Sequence, residues 1–378
     1  MSTPQPLRGL TVIEIGHSIA APYAGMILGE LGAEVIKVEN PKTGDACRGW
    51  GPPFAEDKSA TCFHAVNRAK KGITVDLADG DEAARLKALI LERADVVIHN
   101  LKFGALDKYG LGPAALAAEK PSLVVCSLNA FGAVGPLRER PGYDPMMQAY
   151  SGLMSLLGED GRPPVRVTAS IIDMGSAAWA VIGILAALRE RERTGKGGIV
   201  DTSLYETSLA LMSIMLADHL QTGDLPVRHG SGVAMIVPYQ AFEASDGYMM
   251  VAAGNDNLFR RLAAALGRPS LAEDARFKSN GERVVNRQAL VAILADIFKT
   301  ETREHWAALL DAQGIPNGPI NSMDQVVADP QTRALGQIQR QPGSDLTLVG
   351  LPLSFDGERP AFAKRAPALG EDNASILR

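Results

Sequence analysis

Short apolar runs and amphipathic stretches alternate along the first half of the chain. "TVIEI" (Thr11 to Ile15), "APYAGMILGELG" and "AEVIKVE" (Ala33 to Glu39) read as strand, helix and strand, the unit of a parallel sheet. The alternation continues through "GITVDL", a helical "DEAARLKALILERA", "DVVIHN", a second helical stretch near "GPAALAAEK" and the strand-like "SLVVCSL". Residues 1 to about 200 therefore predict a doubly wound α/β layer. The longest apolar run, Ala177 to Leu188, is too short to span a bilayer and predicts a buried helix. "RERERTGKGG" ends it with cations in the last turn and glycines beyond, a surface turn.

"IVDTSLYETSLALMSIMLADHLQTG" predicts a short strand and a long helix, after which the texture changes at "DLPVRHGSG". "YQAFEASDGYMMVAA" predicts a hairpin turning on Asp246 and Gly247, and helices follow around 257–267, 287–299 and 302–312. The tail is rich in Pro and Gly, with one strand-like segment, "DLTLVGLPLSF". The division expected is a large α/β domain over 1–222, a smaller α+β domain over 223–324, and a C-terminal segment over 325–378 that returns to the large domain.

Composition narrows the chemistry. An apolar share of 46% in 378 residues supplies a real core. With 38 Lys and Arg against 43 Asp and Glu, the net charge of −5 offers no general field for nucleic acid or an anionic membrane, so neither is an expected partner. Cys47, Cys62 and Cys126 form no CxxC pair, which fits neither a disulfide framework nor a zinc site and points to a reduced cytoplasm. "MSTPQPLRGL" has no apolar signal core.

The first strand, turn and helix invite a nucleotide-binding reading, and Glu39 ends the second strand where a ribose-binding acid would sit. However, the turn is "GHSIAAP", without the three glycines that admit a pyrophosphate, and no GxxxxGK[ST] occurs. Hydride chemistry is therefore disfavoured. His17 in that turn is a candidate base, although a histidine bonded within a loop is the commoner outcome, and none of the six histidines has metal-ligand spacing.

Longer motifs are more specific. "GLTVIEIGHSIAAPYAGMILGELGAEVIKVENPKTGDACRGWGPPF", "NRAKKGITVDL", "NLKFGALDKYGLG", "PGYDPMMQAYSGLM" and "SIIDMGSA" occur in that order, followed by "VPYQAF", "SDGYMMVAAGN" and "GIPNGPINSM". Together they resemble the family III CoA-transferases over almost the whole chain. The resemblance implies a Rossmann-like large domain, a smaller domain, and two chains threaded through one another as an interlocked homodimer.

It also gives Asp173 a role. From the residues alone, Asp173 is the N-cap of the apolar helix, because Asp is a preferred cap and the apolar run begins just after it. The same position suits a carboxylate held ionised by the helix dipole and nearby amides, with Gly175 letting a bulky thioester approach. In the family the aspartate of this motif is the nucleophile. The implied chemistry is ping-pong exchange of one thioester for another through a mixed anhydride and an aspartyl-CoA thioester, with coenzyme A carried as acyl-CoA substrate and neither ATP nor metal required.

By match to the family, Ser18, Ile19 and Ala20 with Val75 to Ala78 line the nucleotide pocket. Asn100, Leu101 and Lys102 meet the pantetheine or phosphates, and Lys108 and Arg140 supply charge. Some members carry Arg where this chain has Asn40, and Lys42 is the candidate to replace it. The alternative reading is an α-methylacyl-CoA racemase, which shares the fold and needs two bases. Those enzymes pair a His in a "GHD" context with an aspartate before "GGG", whereas this chain has "GYD", with Tyr143, and "DMGSA". "RHGSGVAMIVPYQAF" resembles transferases of short dicarboxylates with succinyl-CoA as donor, and Arg228 and His229 are candidates for the second carboxylate.

Overall fold

The computed structural model describes residues 5–377; residues 1–4 and 378, at the ends of the first and last expected segments, lie outside the described residues. The chain divides into two compact units. One comprises the chain up to Ser151, Val167–Ser213 and the stretch from Pro330, and the other Gly152–Arg166 with Ile214–Asp329. The second unit thus begins at Ile214 rather than 223 and takes in a segment that the sequence reading left with the large domain. Non-local pairing decides this: the Gly230 N–H donates to the Gly158 carbonyl at 3.0 Å, and Glu159 bridges His229.

The first unit is built on β1 (Thr11–Ile15), β2 (Glu34–Glu39), β3 (Lys70–Thr74), β4 (Val96–His99), β5 (Val124–Asn129) and β6 (Gly198–Ser203). All pairs are parallel, and the order is β3-β2-β1-β4-β5-β6, the doubly wound order of dinucleotide-binding folds. One face of the central strands is apolar, with the register partners Ile13, Ile36, Val97 and Val125 fully buried, and the other buries Glu14 and Lys37 among apolar neighbours. The helix Gly80–Arg93 is capped by Asp79, whose carboxylate accepts the Asp81 and Glu82 N–H groups. β3 starts at Lys70, before the "GITVDL" of the sequence pattern, because the buried Lys70 ammonium has partners: Pro22 and Val66 carbonyls at 2.7 and 3.0 Å, Asn67 at 2.8 Å and Glu14 at 2.6 Å. At its end, the C-terminal stretch returns to this edge, with Asp372 and Asn373 accepting the Gly72 and Thr74 N–H groups at 2.8 Å.

The apolar run extends into a helix from Ile171 to Thr194, closed by Gly195 in the left-handed region. It is only half a buried helix. Ile172, Ala177, Ala180 and Ile184 face the core, but Trp179 and Ile182 are more than half exposed, which corrects the expectation of burial. At 24 residues it is also long and apolar enough, by length and composition, to cross a membrane. The expected long helix after β6 is two, Leu204–Leu211 and Ser213–Thr222.

The second unit carries an antiparallel sheet of β7 (Tyr239–Ala244), β8 (Gly247–Ala252) and β9 (Asn317–Pro319), the last not anticipated. Helices Asp256–Ala265, Arg287–Phe298 and Arg303–Ala312 cover it. Phe242 stacks on Phe298, which meets Trp306 edge-on, at the centre of its core.

Candidate active site

β1 ends in a turn whose shape is set from below. Lys37 on β2 is fully buried, and its ammonium reaches Glu14 at 3.0 Å, the Gly16 carbonyl at 2.9 Å and Asp45 at 2.9 Å. Burial alone would drive off its proton, but Glu14, Asp45 and Glu39 hold the ammonium well above the ordinary lysine range. Asp45 in turn accepts the Ser18 N–H at 2.9 Å, holding Ser18 at a φ of +66°, a left-handed conformation rare without glycine. From the other side Asn100 accepts the His17 N–H at 3.0 Å and donates to the His17 carbonyl at 2.8 Å. Gly16 keeps this turn tight: a Cβ there would sit 2.7 Å from the Ala21 Cβ and 3.3 Å from the Asn100 Oδ1. The His17 Nδ1 lies 2.9 Å from the Ser18 hydroxyl, and burial lowers its pKa, so the ring is neutral at physiological pH.

Asp173 stands at the third position of its helix, not at the cap. Asp144 does the capping. Its carboxylate accepts the Ile172 N–H at 2.8 Å and the Asp173 N–H at 3.2 Å, and Gln148 donates to its other oxygen at 2.6 Å. The amides expected to hold Asp173 ionised are thus occupied by a second acid. Burial first, and the Asp144 charge second, raise the Asp173 pKa to about 7. Nor does Gly175 open space for a ligand: a Cβ there would lie 3.1 Å from Thr207, so the glycine lets two helices pack.

Asp173 lines a cavity of about 210 Å³, and the same cavity is lined by Ser18, Ile19, Ala20, Asn100, Leu101, Lys102 and Arg140. Tyr143 lines it as well, together with His17 and Arg138. Val75, Asp76, Leu77 and Ala78 line a second cavity of about 320 Å³ that shares His17 and Leu101 with the first. Two positions differ from their expected use. Lys108 lines neither cavity; its ammonium lies 4.7 Å from the Tyr109 ring centroid. Asn100 has both amide groups engaged with the His17 backbone, so it shapes the turn. Glu39 also lines the second cavity, but it binds Arg48 at 2.7 and 2.8 Å and accepts the Asp45 N–H at 2.8 Å. Asn40 accepts the Lys42 and Thr43 N–H groups, and the exposed Lys42 ammonium pairs with Asp76 at 3.1 Å. In the second unit, Arg228 has a buried Nη1 without a hydrogen-bond partner.

The family model for "CoA-transferase family III" matches residues 7–373. The chain belongs to that family. This CoA-transferase is 36% identical to the succinate–glutarate CoA-transferase of Agrobacterium fabrum, over 98% of this chain and 95% of that one. It is 35% identical to the succinyl-CoA:glutarate CoA-transferase of Homo sapiens, over 100% of this chain and 86% of that one. Among solved structures, a CAIB/BAIF family protein from Brucella suis is 40% identical with a TM-score of 0.87, each chain covered over its full length. What the sequence reading of this CoA-transferase missed are Lys37, Asp45 and Asp144, the groups that hold the turn and the helix carrying Asp173. Asp144 had a signal in "YDP", an acid followed by proline at the start of a helix, but the N–H groups it caps lie more than two dozen residues away. Lys37 had none, because a lysine within a strand reads as an exposed position.

Proposed function

We propose that this CoA-transferase moves CoA from succinyl-CoA to a short dicarboxylic acid with Asp173 as the nucleophile. The observation that carries the reading is a half-buried carboxylate in a cavity also lined by the turn at Ser18 and by Lys102 and Arg140. The names of the two transferase relatives support the acids.

The Asp173 carboxylate attacks the thioester carbonyl, the C–S bond breaks, and a mixed anhydride and CoA thiolate result. The thiolate attacks the aspartyl carbonyl, releases the donor carboxylate and leaves an aspartyl-CoA thioester; the acceptor acid runs the steps in reverse. Ser18, Ile19 and Ala20 line the path of the thioester arm beside Leu101 and Lys102, Val75 to Ala78 receive the nucleotide, and Arg140 offers charge to phosphate or carboxylate. Purified protein offered several acyl-CoA donors and a panel of acids, with CoA esters read by mass spectrometry, is expected to favour succinyl-CoA with C4 to C6 dicarboxylates. Efficient transfer only among monocarboxylates overturns the substrate class.

A nucleophile with a raised pKa gives a pH signature. Only the carboxylate attacks, so kcat/KM is expected to rise with pH along a limb centred near 7. Asp144→Asn keeps an oxygen to accept the Ile172 N–H and removes the neighbouring charge, so the limb moves to lower pH. It stops above the ordinary carboxylate range, because burial, the larger cause, remains. An unmoved limb shows that a different group titrates. Stability follows the opposite sign: the folded chain holds this proton more tightly than the unfolded chain, so the contribution of Asp173 is favourable below the ordinary carboxylate pKa and is lost as pH rises towards 7.

The same reading makes the enzyme a cytoplasmic, interlocked homodimer. Support comes from three free cysteines and from exposed apolar side chains on the helices around β6, among them Trp179, Ile182, Leu211 and Ile214. Threaded chains bury far more than the roughly 1,600 Å² of a standard interface, so sedimentation at nanomolar concentration is expected to show a dimer. A reversible, folded monomer there rejects the threading.

A further inference from the structure

Cys47 and Cys62 lie on two short helical segments, Ala46–Gly49 and Thr61–Asn67, that flank the turn at β1. Their sulfurs are 3.0 Å apart with both thiols free, whereas Cys126 is buried in β5. Cys47 is fully buried and Cys62 partly exposed, so one sulfur is open to solvent and the other waits behind it. We propose that Cys47 and Cys62 are a thiol-modification site, a dithiol that a hydroperoxide converts reversibly to an intramolecular disulfide, and that closing it weakens acyl-CoA binding.

The chemistry needs a nucleophilic thiolate and a resolving thiol, and the pair supplies one of each. The hydrogen bond from Cys47 favours the Cys62 thiolate, while the same bond and burial push the Cys47 thiol up. The Cys62 thiolate attacks the peroxide oxygen, the O–O bond breaks, and the departing alkoxide takes a proton to leave as alcohol. The Cys47 sulfur then attacks the sulfenic sulfur, and the hydroxyl departs with the Cys47 proton as water. Two thiols and one hydroperoxide thus give one disulfide, one alcohol and one water, the two electrons passing from sulfur to the O–O bond.

Two contacts connect the pair to the site. The Cys47 N–H donates to Asp45 Oδ1 at 2.9 Å, the oxygen that also accepts the Ser18 N–H. In addition, Ile19, which lines the Asp173 cavity, and Cys62 both pack against the apolar cluster that contains Cys47 and Phe63. A disulfide holds its sulfurs at about 2.05 Å, so closure draws them about 1 Å together and pulls on the Asp45 and Ile19 contacts.

The test treats intact enzyme with a stoichiometric alkyl hydroperoxide, alkylates the remaining thiols after denaturation, and maps the tryptic peptides. The expected product is a monomeric chain lighter by two hydrogens, with Cys47 linked to Cys62, Cys126 alkylated, and full reversal by dithiothreitol. In Cys47→Ser, dimedone is expected to trap a sulfenic acid on Cys62. The oxidised wild type is expected to show a KM for acyl-CoA raised about three- to tenfold, the loss of roughly one hydrogen bond, with kcat little changed and both restored by reduction. Three alkylated cysteines after peroxide, a link through Cys126, or a disulfide that leaves KM unmoved overturns the proposal. The mapping uses wild-type protein, so it stands even where the serine variant folds poorly.

Discussion

Replacing Asp173 by Asn is expected to lower the rate of CoA transfer by at least ~10³-fold while the protein stays folded and still binds acyl-CoA. The substitution keeps the size and one oxygen of the side chain but removes the electron pair that attacks the thioester carbonyl. Stability is not sacrificed. Asp144, not Asp173, accepts the first N–H groups of the long helix, so no cap is lost, and a neutral amide is no worse at neutral pH than a carboxyl whose ionisation burial opposes. Hydroxylamine added during turnover of the wild type is expected to leave a hydroxamate on the tryptic peptide containing Asp173, absent without donor and absent from Asp173→Asn. A label on another residue, or substantial transfer by the variant, means that Asp173 is not the nucleophile.

The second large effect lies beneath the site. Lys37→Met is expected to destabilise the enzyme by about 3–5 kcal/mol, the range for removing one partner of a buried charge pair, because Asp45 remains buried without its cation and Glu14 keeps only Lys70. Lys42→Met removes an exposed, solvent-screened pair with Asp76 and is expected to leave stability nearly unchanged. Chemical denaturation of the two variants side by side checks the contrast, and equal small losses from both would show that the buried network is dispensable. At temperatures where Lys37→Met is folded, the KM for acyl-CoA is expected to rise more than kcat falls. Freed of Lys37, Asp45 no longer fixes the Ser18 N–H that shapes the cavity wall. Asp173 hangs from another helix with its own cap.

Much of this was written in the chain itself. The alternation of strand and helix patterns from Thr11 to Asn129 matches five of the parallel strands, because all but β3, whose start is set by the partners of Lys70, are largely apolar runs bounded by local signals. The ordered motifs carried the family, and they brought Ser18, Ile19, Ala20, Asn100, Leu101, Lys102, Arg140 and Asp173 onto one cavity. Tertiary structure decided what depends on groups distant in sequence. Asp173 is separated from Asp144 by 29 residues, and only their meeting turns an expected ionised, self-capping acid into one whose proton is held to about 7. Lys37 and Lys70 read as surface charges until Glu14, Asp45 and Asn67 close around them. The segment 152–166 joins the second unit through pairing with His229 and Gly230, and the apolar helix is left half exposed. Periodicity reports which residues share a local face. A pKa, a buried ion network and a unit boundary are sums over neighbours in space, and those are set by the fold.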